Sequence, residues 1–180
     1  PYEKMKPFDV LTFQYSLHVE ESDHTLRHCG FIGEHDCRKA FIEQLIQDVP
    51  KKGSILVYNM EGAEKLRLVQ LAVQFPEYKE ELEQIWNRMV DLSLPFSTGN
   101  FYDVRMEGMY SLKKLVSVFS PYSYDTLQVS HGMEAVECWK EYCHAEKERK
   151  EELYQALFNY CGMDTYAEYL VYHALKKMVE

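Results

Sequence analysis

The sequence predicts an α/β fold in which a mixed sheet is flanked by helices. Residues 11–19 alternate apolar and polar side chains, as a half-buried strand does, and residues 26–32 return after a short turn. Residues 55–58 form a continuous apolar run of the kind found in strands buried on both faces. Apolar side chains three and four positions apart predict helices through most of the remaining chain. We expect the 54–58 strand to be central in the sheet, flanked by strands of the 11–32 hairpin.

Glycine and proline residues, which interrupt helices and strands, and regularly spaced apolar residues predict the elements that follow the hairpin. Gly162 separates two apolar stripes, and a left-handed glycine commonly ends a helix, so we expect a helix boundary there. At 180 residues the chain is long enough for one domain with a substantial core. The predicted elements are a helix at 36–49, a strand at 54–58, helices at 63–75 and 77–89, a short strand at 90–94, a loop-like stretch at 95–108, and helices at 111–120, 132–144, 148–161 and 164–178.

The charge of the chain limits the ways in which it could meet nucleic acid. The net charge is −9, from 29 acidic and 20 basic residues. Non-specific coating of nucleic acid relies on Lys and Arg side chains that contact phosphates, and this composition does not favour it. An enzyme that handles a strand end through metal ions remains compatible with the charge.

Other features of the composition concern compartment and extent. No run approaches the ~20 apolar residues of a membrane span, so no membrane partner is expected. Five cysteines without a Cys-x-x-Cys pair indicate reduced thiols and a cytoplasmic protein. A zinc site built from His28, Cys29, His35 and Cys37 would match no common ligand spacing. The first residue is Pro1 and no signal peptide follows, so we expect the chain to be the C-terminal part of a longer protein.

Two acidic residues are in register with the apolar faces of predicted helices. Asp164 lies three residues before Ala167, and Glu64 lies four residues before Leu68. An ionised carboxylate is costly to bury without a partner. Asp164 could instead cap a helix, although Thr165 and Glu168 have the spacing of a capping box that would take that role.

Glu64 has an equally plain alternative, a solvated position beside Lys65. It nevertheless follows a buried strand at the end where open α/β sheets place their ligand sites. Asp91 also ends a predicted strand, and we expect it to terminate that strand rather than to bind a metal.

Short stretches of the sequence, taken in order, resemble the ribonuclease H-like 3′–5′ exonucleases. These are the DEDD enzymes, which include the proofreading exonucleases of DNA polymerases. The chain is more similar still to the bacterial family called domain of unknown function 2779, which belongs to that superfamily. The resemblance rests on Phe13-Gln14-Tyr15-Ser16-Leu17-His18, on 57–64, on Arg88-Met89-Val90-Asp91-Leu92, on Tyr110-Ser111-Leu112-Lys113 and on 160–165.

The resemblance implies phosphodiester hydrolysis at the ends of single-stranded DNA or RNA by two Mg²⁺ or Mn²⁺ ions. Asp164 matches the acid of the third motif, and Glu64 falls where the second motif has its acid, so both are expected to bind metal. Tyr160 fits the tyrosine subclass, in which this phenol orients the attacking water. Fusion to other nuclease-type domains is also implied.

Three basic side chains are candidates for contact with a backbone phosphate. They are Lys113 and Lys114, at the start of the predicted 111–120 helix, and Arg105, in the loop before it. A solvated helix face is the alternative for all three.

The sequence departs from the superfamily pattern at two places. The first motif, Asp-x-Glu, is absent from residues 1–180 and by the layout of the family would precede Pro1. The second motif has a longer gap after Asn59, which makes Glu61 a rival of Glu64. We therefore expect the 180-residue chain to be inactive alone, and the carboxylates of Glu64 and Asp164 to lie within about 8 Å of each other. Two alternatives stay open, a degenerate binding or scaffold module inside a larger nuclease, and a phosphatase or nucleotidase that uses the same metals.

Overall fold

The structure of the protein is a computed structural model that describes residues 2–7, 9–124, 129 and 132–180. Helices and strands are intermixed along the chain, so the predicted α/β class is confirmed. The strands are β1 (Gln14–Glu20), β2 (Leu26–Ile32), β3 (Ile55–Val57) and β4 (Met89–Asp91). The α-helices are α1 (Arg38–Asp48), α2 (Glu64–Gln74), α3 (Lys79–Trp86), α4 (Leu94–Ser97), α5 (Leu112–Phe119), α6 (Gly132–Tyr142) and α7 (Lys147–Val179), and 3₁₀ helices occupy Pro76–Tyr78 and Val104–Met106.

The predicted hairpin is present as β1 and β2. The two strands pair antiparallel from Gln14 opposite Ile32 to Glu20 opposite Leu26. The Asp23 side chain accepts hydrogen bonds from the backbone N–H and the hydroxyl of Thr25, at 3.0 and 2.6 Å, and so holds the turn between them.

The expected arrangement of the sheet is wrong. β3 pairs in parallel with β4, and over the described residues β1–β2 and β3–β4 form two separate two-stranded sheets. In the described residues β3 is therefore not the central strand of a mixed sheet. The apolar run predicted a strand buried on both faces, but of the β3 residues only Val57 is buried, and Ile55 and Leu56 are half-buried. Ile55 packs against the buried cluster formed by α1, α2 and α3.

The expected helix boundary at Gly162 is also wrong, because α7 continues through it for 33 residues in all. Gly162 lies where α7 touches the hairpin, and a Cβ atom there would be 2.9 Å from Cε1 of His28. The glycine thus permits close approach and does not end the helix. Thr165, inside the helix, caps nothing, and its hydroxyl lies 2.8 Å from Nδ1 of His18 and 2.9 Å from the Ser16 hydroxyl.

We expect Gly162→Ala to destabilise the protein by about 1–2 kcal/mol, although alanine is favoured over glycine in an ordinary helix. The added methyl group must displace the His28 ring. That ring stacks on His18 with centroids 4.2 Å apart and is hydrogen-bonded to Ser16, so it cannot move freely. Urea unfolding measures the change, and Gly132→Ala is the control because a Cβ at Gly132 meets nothing within 4 Å.

The cause can be separated by a double-mutant cycle with His28→Ala. If the clash with the ring is responsible, Gly162→Ala will cost much less in the His28→Ala background. An equal cost in both backgrounds would rule out this explanation.

The long helix α7 joins two of the three buried clusters. Its first half packs against α6 through Leu153 and Leu157, and its second half packs against α5 through Ala167 and Val171. Leu157, Ala167 and Val171 are fully buried. The same helix also packs against β1, β2 and β3. Because both halves of α7 are fixed in buried clusters, the positions between them, including Asp164, are fixed as well. In the part of the chain that the structure describes, no helix is both long and apolar enough to cross a bilayer.

Candidate metal-binding site

Glu64 is positioned by the loop that joins β3 to α2. Asp91, the last residue of β4, accepts hydrogen bonds from the backbone N–H groups of Asn59 at 3.1 Å and Met60 at 2.9 Å, and from Ser93 at 2.8 Å. Burial alone would raise the pKa of Asp91, but these hydrogen bonds outweigh it and hold the pKa below its usual value. Asp91 thus ends a strand, as expected, and anchors the loop that leads into Glu64.

The Glu64 carboxylate points inward, and Oε2 is buried without a hydrogen-bond partner within the described residues. Burial is the largest of the causes that raise the pKa of Glu64 to about 7; a backbone hydrogen bond opposes the rise, and the charges of Asp91 and Asp164 add to it. Its rival Glu61 is exposed and pairs with Lys65 at 2.6 Å. The ammonium group that could have solvated Glu64 is thus engaged elsewhere, and of the two acids Glu64 is the one turned toward Asp164.

Asp164 lies on the inner face of α7, beside two phenols. The hydroxyl of Tyr124 donates to Oδ1 of Asp164 at 2.9 Å, and Tyr160, one turn earlier, is also hydrogen-bonded to Asp164. Burial raises the pKa of Asp164, while these bonds and the charge of Lys113 act in the opposite direction. The structure therefore brings Tyr160, Asp164 and Glu64 together. The separation of the two carboxylates within about 8 Å stays a prediction.

Lys113 differs from the other two candidate phosphate contacts. Its ammonium lies 5.1 Å from the ring centroid of Tyr124 and 5.9 Å from that of Tyr160, and so beside Asp164. Lys114 pairs with Glu107 at 2.6 Å, and Arg105 pairs with Asp103 at 2.7 Å. A phosphate contact by any of the three stays a prediction, and Lys113 is the one placed at the acids.

Glu168 belongs to this acidic cluster, although no sequence pattern predicted it as a site residue. The backbone of Tyr58 lowers the pKa of Glu168 slightly, against the stronger causes that raise it. Burial raises the pKa of Glu168 well above its usual value, and the charges of Glu64, Asp164 and Asp91 raise it further. Glu168 was assigned to a capping box because a helix start was expected at Thr165. Its spacing of four residues from Asp164 would have revealed it in a continuous helix.

Tyr124 was missed for a different reason. It lies 40 positions before Asp164, in a segment without apolar periodicity, and no sequence signal links the two.

The chemistry of these donors fits a hard divalent cation. Four interacting carboxylates, Glu64, Asp91, Asp164 and Glu168, come from α2, β4 and α7, and carboxylate oxygens are the ligands that Mg²⁺ and Mn²⁺ prefer. The buried Oε2 of Glu64 lacks a partner that a cation would supply. Over residues 2–7, 9–124, 129 and 132–180, however, no three His, Cys, Asp or Glu side chains are grouped closely enough to hold a metal ion. The donor type therefore suits a metal, but the described residues do not by themselves form a metal site.

The chain was compared with known protein families, with curated proteins and with solved structures. A family model described as Domain of unknown function (DUF2779) matches residues 1–111, which is more than half of the chain. The matched range includes the hairpin, Glu64 and Asp91, and it ends before α5, so that Asp164 lies outside it. No curated protein and no solved structure matches the chain. The part of the resemblance that concerns this family is confirmed: the chain belongs to the family of domain of unknown function 2779.

Proposed function

We propose that this chain is a ribonuclease H-like domain of the DEDD type, which hydrolyses phosphodiester bonds at the 3′ ends of single-stranded nucleic acid with two divalent cations. The observation that carries the proposal is the convergence of Glu64 from α2 with Asp164 from α7. Their carboxylates are buried and repel each other, and Tyr160 is hydrogen-bonded to Asp164. Two inward-facing acids whose negative charges act on each other favour a site that receives a cation.

Within the described residues one edge of each two-stranded sheet has no strand partner, and this supports the ribonuclease H-like part of the proposal. Backbone hydrogen bonds join Gly33 to Phe13 and Glu21 to Thr25, so alternate residues of β1, among them Ser16, turn their peptide groups away from β2. Leu56 of β3 likewise turns its peptide groups away from β4. In a ribonuclease H-like sheet the first strand pairs between two such edges and carries Asp-x-Glu. Such a strand would join the two sheets and complete the ligand set.

Each residue of the proposed site would have a distinct role in the reaction. Bound cations lower the pKa of a water molecule and stabilise the charge that develops on the attacking and leaving oxygens. Glu64 and Asp164 would hold them. Burial, followed by the charge of Asp164, raises the pKa of Tyr160 to about 12, so its phenol stays neutral and orients water as a hydrogen-bonding group. Lys113, beside Asp164, is suited to contact a substrate phosphate.

A nuclease assay tests the proposal directly. A longer form of the protein in which Asp-x-Glu precedes Pro1 is expected to shorten a 5′-labelled single-stranded oligonucleotide stepwise in Mn²⁺ or Mg²⁺, and not in EDTA. The 180-residue chain alone is expected to be inactive, because it lacks that motif. Strong metal-dependent cleavage by the 180-residue chain would show that the catalytic acids lie elsewhere.

A degenerate binding or scaffold module is the second candidate. It is favoured by the incomplete ligand set among the described residues. This candidate predicts that the longer form binds the oligonucleotide without shortening it. Release of phosphate from a monoester, with the oligonucleotide left intact, would instead indicate a phosphatase or nucleotidase.

A further inference from the structure

We propose that His18 and His28 form a pH-sensitive contact between the β1–β2 hairpin and α7, which holds at neutral pH and loosens as the two imidazoles become protonated. The hydroxyl groups of Ser16 and Thr165 belong to the same cluster. We call these four residues the histidine contact. The inference goes beyond the proposed function and does not depend on it, because none of the four residues has a role in the proposed nuclease.

The first argument is the way in which the two rings face each other. His18 of β1 lies directly opposite His28 of β2 in the antiparallel register. Their rings are stacked, with centroids 4.2 Å apart and an angle of 2° between the planes. Neutral rings can pack in this way, whereas like charges directly opposite each other on neighbouring strands are destabilising. The stack therefore favours two neutral imidazoles.

The second argument is that uncharged groups join the pair to α7. The Ser16 hydroxyl lies 2.8 Å from Nε2 of His28 and 2.9 Å from the Thr165 hydroxyl. The Thr165 hydroxyl in turn lies 2.8 Å from Nδ1 of His18. One continuous set of hydrogen bonds thus links both rings to the helix. A serine and a threonine hydroxyl carry no charge, so these bonds give an imidazolium no anionic partner.

The third argument is the apolar surface of α7 that covers the rings. The ring centroid of Tyr166 lies 5.6 Å from that of His18. The ring centroid of Phe158 lies 4.8 Å from that of His28, where Gly162 allows the helix to approach closely. Burial of this kind disfavours the charged form of an imidazole. Burial, followed by the charge of His28, lowers the pKa of His18 to about 4, and burial also lowers the pKa of His28.

The other titratable groups of the hairpin and α7 do not neutralise the pair. Those nearest to it along the three elements are Glu20 on β1, Arg27 and Cys29 on β2, and Cys161, Asp164, Tyr166, Glu168 and His173 on α7. Glu20 is hydrogen-bonded to His24 and His173, at 3.0 Å each. Asp164 accepts a hydrogen bond from Tyr124. Within the described residues no carboxylate contributes to the pKa of either stacked ring, so a positive charge there has no acid to offset it.

Acid should therefore weaken the histidine contact. The pKa of His18 is about 4 in the folded protein, against an ordinary value of 6.5. The folded state thus binds this proton less tightly than the unfolded state, so the stability that the neutral ring provides is present above about pH 6.5 and is lost as the pH falls toward 4. Glu64 has the opposite sign, because its raised pKa makes the protein more stable as the pH falls through this range. Histidine variants therefore separate the two effects.

Hydrogen–deuterium exchange of the 180-residue chain tests the inference. Exchange rates are corrected for the intrinsic effect of pH on amide exchange and compared between about pH 7 and about pH 4.5. The amides of α3, which packs on α2, provide an internal reference. Relative to this reference, we expect the amides of β1 and β2 to lose protection by at least about tenfold at the lower pH.

The matched variant is His18→Asn combined with His28→Gln. In each substitution an amide takes the place of the ring nitrogen that meets the hydroxyl, and the amide does not titrate. The loss of protection between the two pH values should fall below about twofold in this double variant. His144→Gln is the control, because His144 is exposed and lies outside the histidine contact, and it should behave like the unchanged chain.

Two results of this comparison would overturn the inference. An equal loss of protection in the double variant and the unchanged chain would mean that other groups respond to acid. Faster exchange in the variant by the same factor at both pH values would indicate a contact that is structural and not pH-sensitive. If the double variant does not fold, NMR titration of the two rings in the unchanged chain decides: a pKa below 6.5 for His18 supports the inference, and a pKa at or above 6.5 overturns it.

Discussion

Asp164→Asn is expected to reduce metal-dependent nuclease activity of the longer form by more than about 10³-fold. The amide keeps the shape of the side chain and can still meet the hydroxyl of Tyr124, which is 2.9 Å from Oδ1 of Asp164. It carries no negative charge, however, and cannot offset the charge of a bound cation. The measurement is the initial rate of shortening of a labelled single-stranded oligonucleotide at saturating Mn²⁺.

Two further variants show whether the loss is specific. Tyr160→Phe removes a hydroxyl that orients water and leaves the carboxylates in place, so a milder loss of about 10²-fold is expected. Asp23→Asn repeats the chemical change in the exposed hairpin turn and should leave the rate unchanged. Full activity in Asp164→Asn would remove Asp164 from the catalytic site.

Glu64→Gln is expected to change the pH dependence of stability in EDTA. The pKa of Glu64 is raised in the folded protein to about 7 from an ordinary value of 4.5. The folded state therefore binds the proton more tightly than the unfolded state, so Glu64 makes the protein less stable as pH rises from about 4.5 to 7. The glutamine does not titrate. At 1.36 kcal/mol per pKa unit, the stability of the variant relative to the unchanged chain should rise by up to about 3 kcal/mol across this range.

The measurement is the free energy of unfolding in urea between about pH 4 and pH 8, with EDTA throughout. Glu61→Gln is the matched control, because Glu61 lies three residues away, is exposed and pairs with Lys65. Its stability should follow that of the unchanged chain at every pH. Parallel curves for Glu64→Gln and the unchanged chain would mean that Glu64 is not buried as described.

Local patterns predicted the features that depend on local physics. The hairpin of β1 and β2 was predicted from alternating apolar and polar side chains and from a turn between them. The side chains of a strand repeat every two residues, so neighbouring residues are enough to reveal the pattern. Helix α2 followed from its apolar face, and that face showed that Glu64 turns inward. Asp164 was found in the same way. In each case a short stretch of sequence contained all the information that was needed.

Features that depend on distant partners could not be predicted in this way. A glycine that ends a helix and a glycine that admits a neighbouring ring look alike in sequence, and only the position of His28 distinguishes them. The wrong choice at Gly162 also hid Glu168, because two short helices replaced one long helix. The neighbours of β3 were unpredictable for a similar reason, since an apolar run indicates burial and does not identify what covers it.

The continuity of α7 limits how the length of this segment can vary. At 1.5 Å per residue the helix is about 50 Å long, and both of its halves are fixed in buried clusters. Insertion of one residue between Tyr160 and Asp164 would rotate everything beyond it by about 100° relative to everything before it. Either Leu157 or Val171 would then leave its buried cluster, and the Asp164 carboxylate would move away from the Tyr160 hydroxyl. Related chains should therefore tolerate insertions and deletions in exposed stretches such as 98–100, and keep a fixed number of residues between Leu157 and Val171.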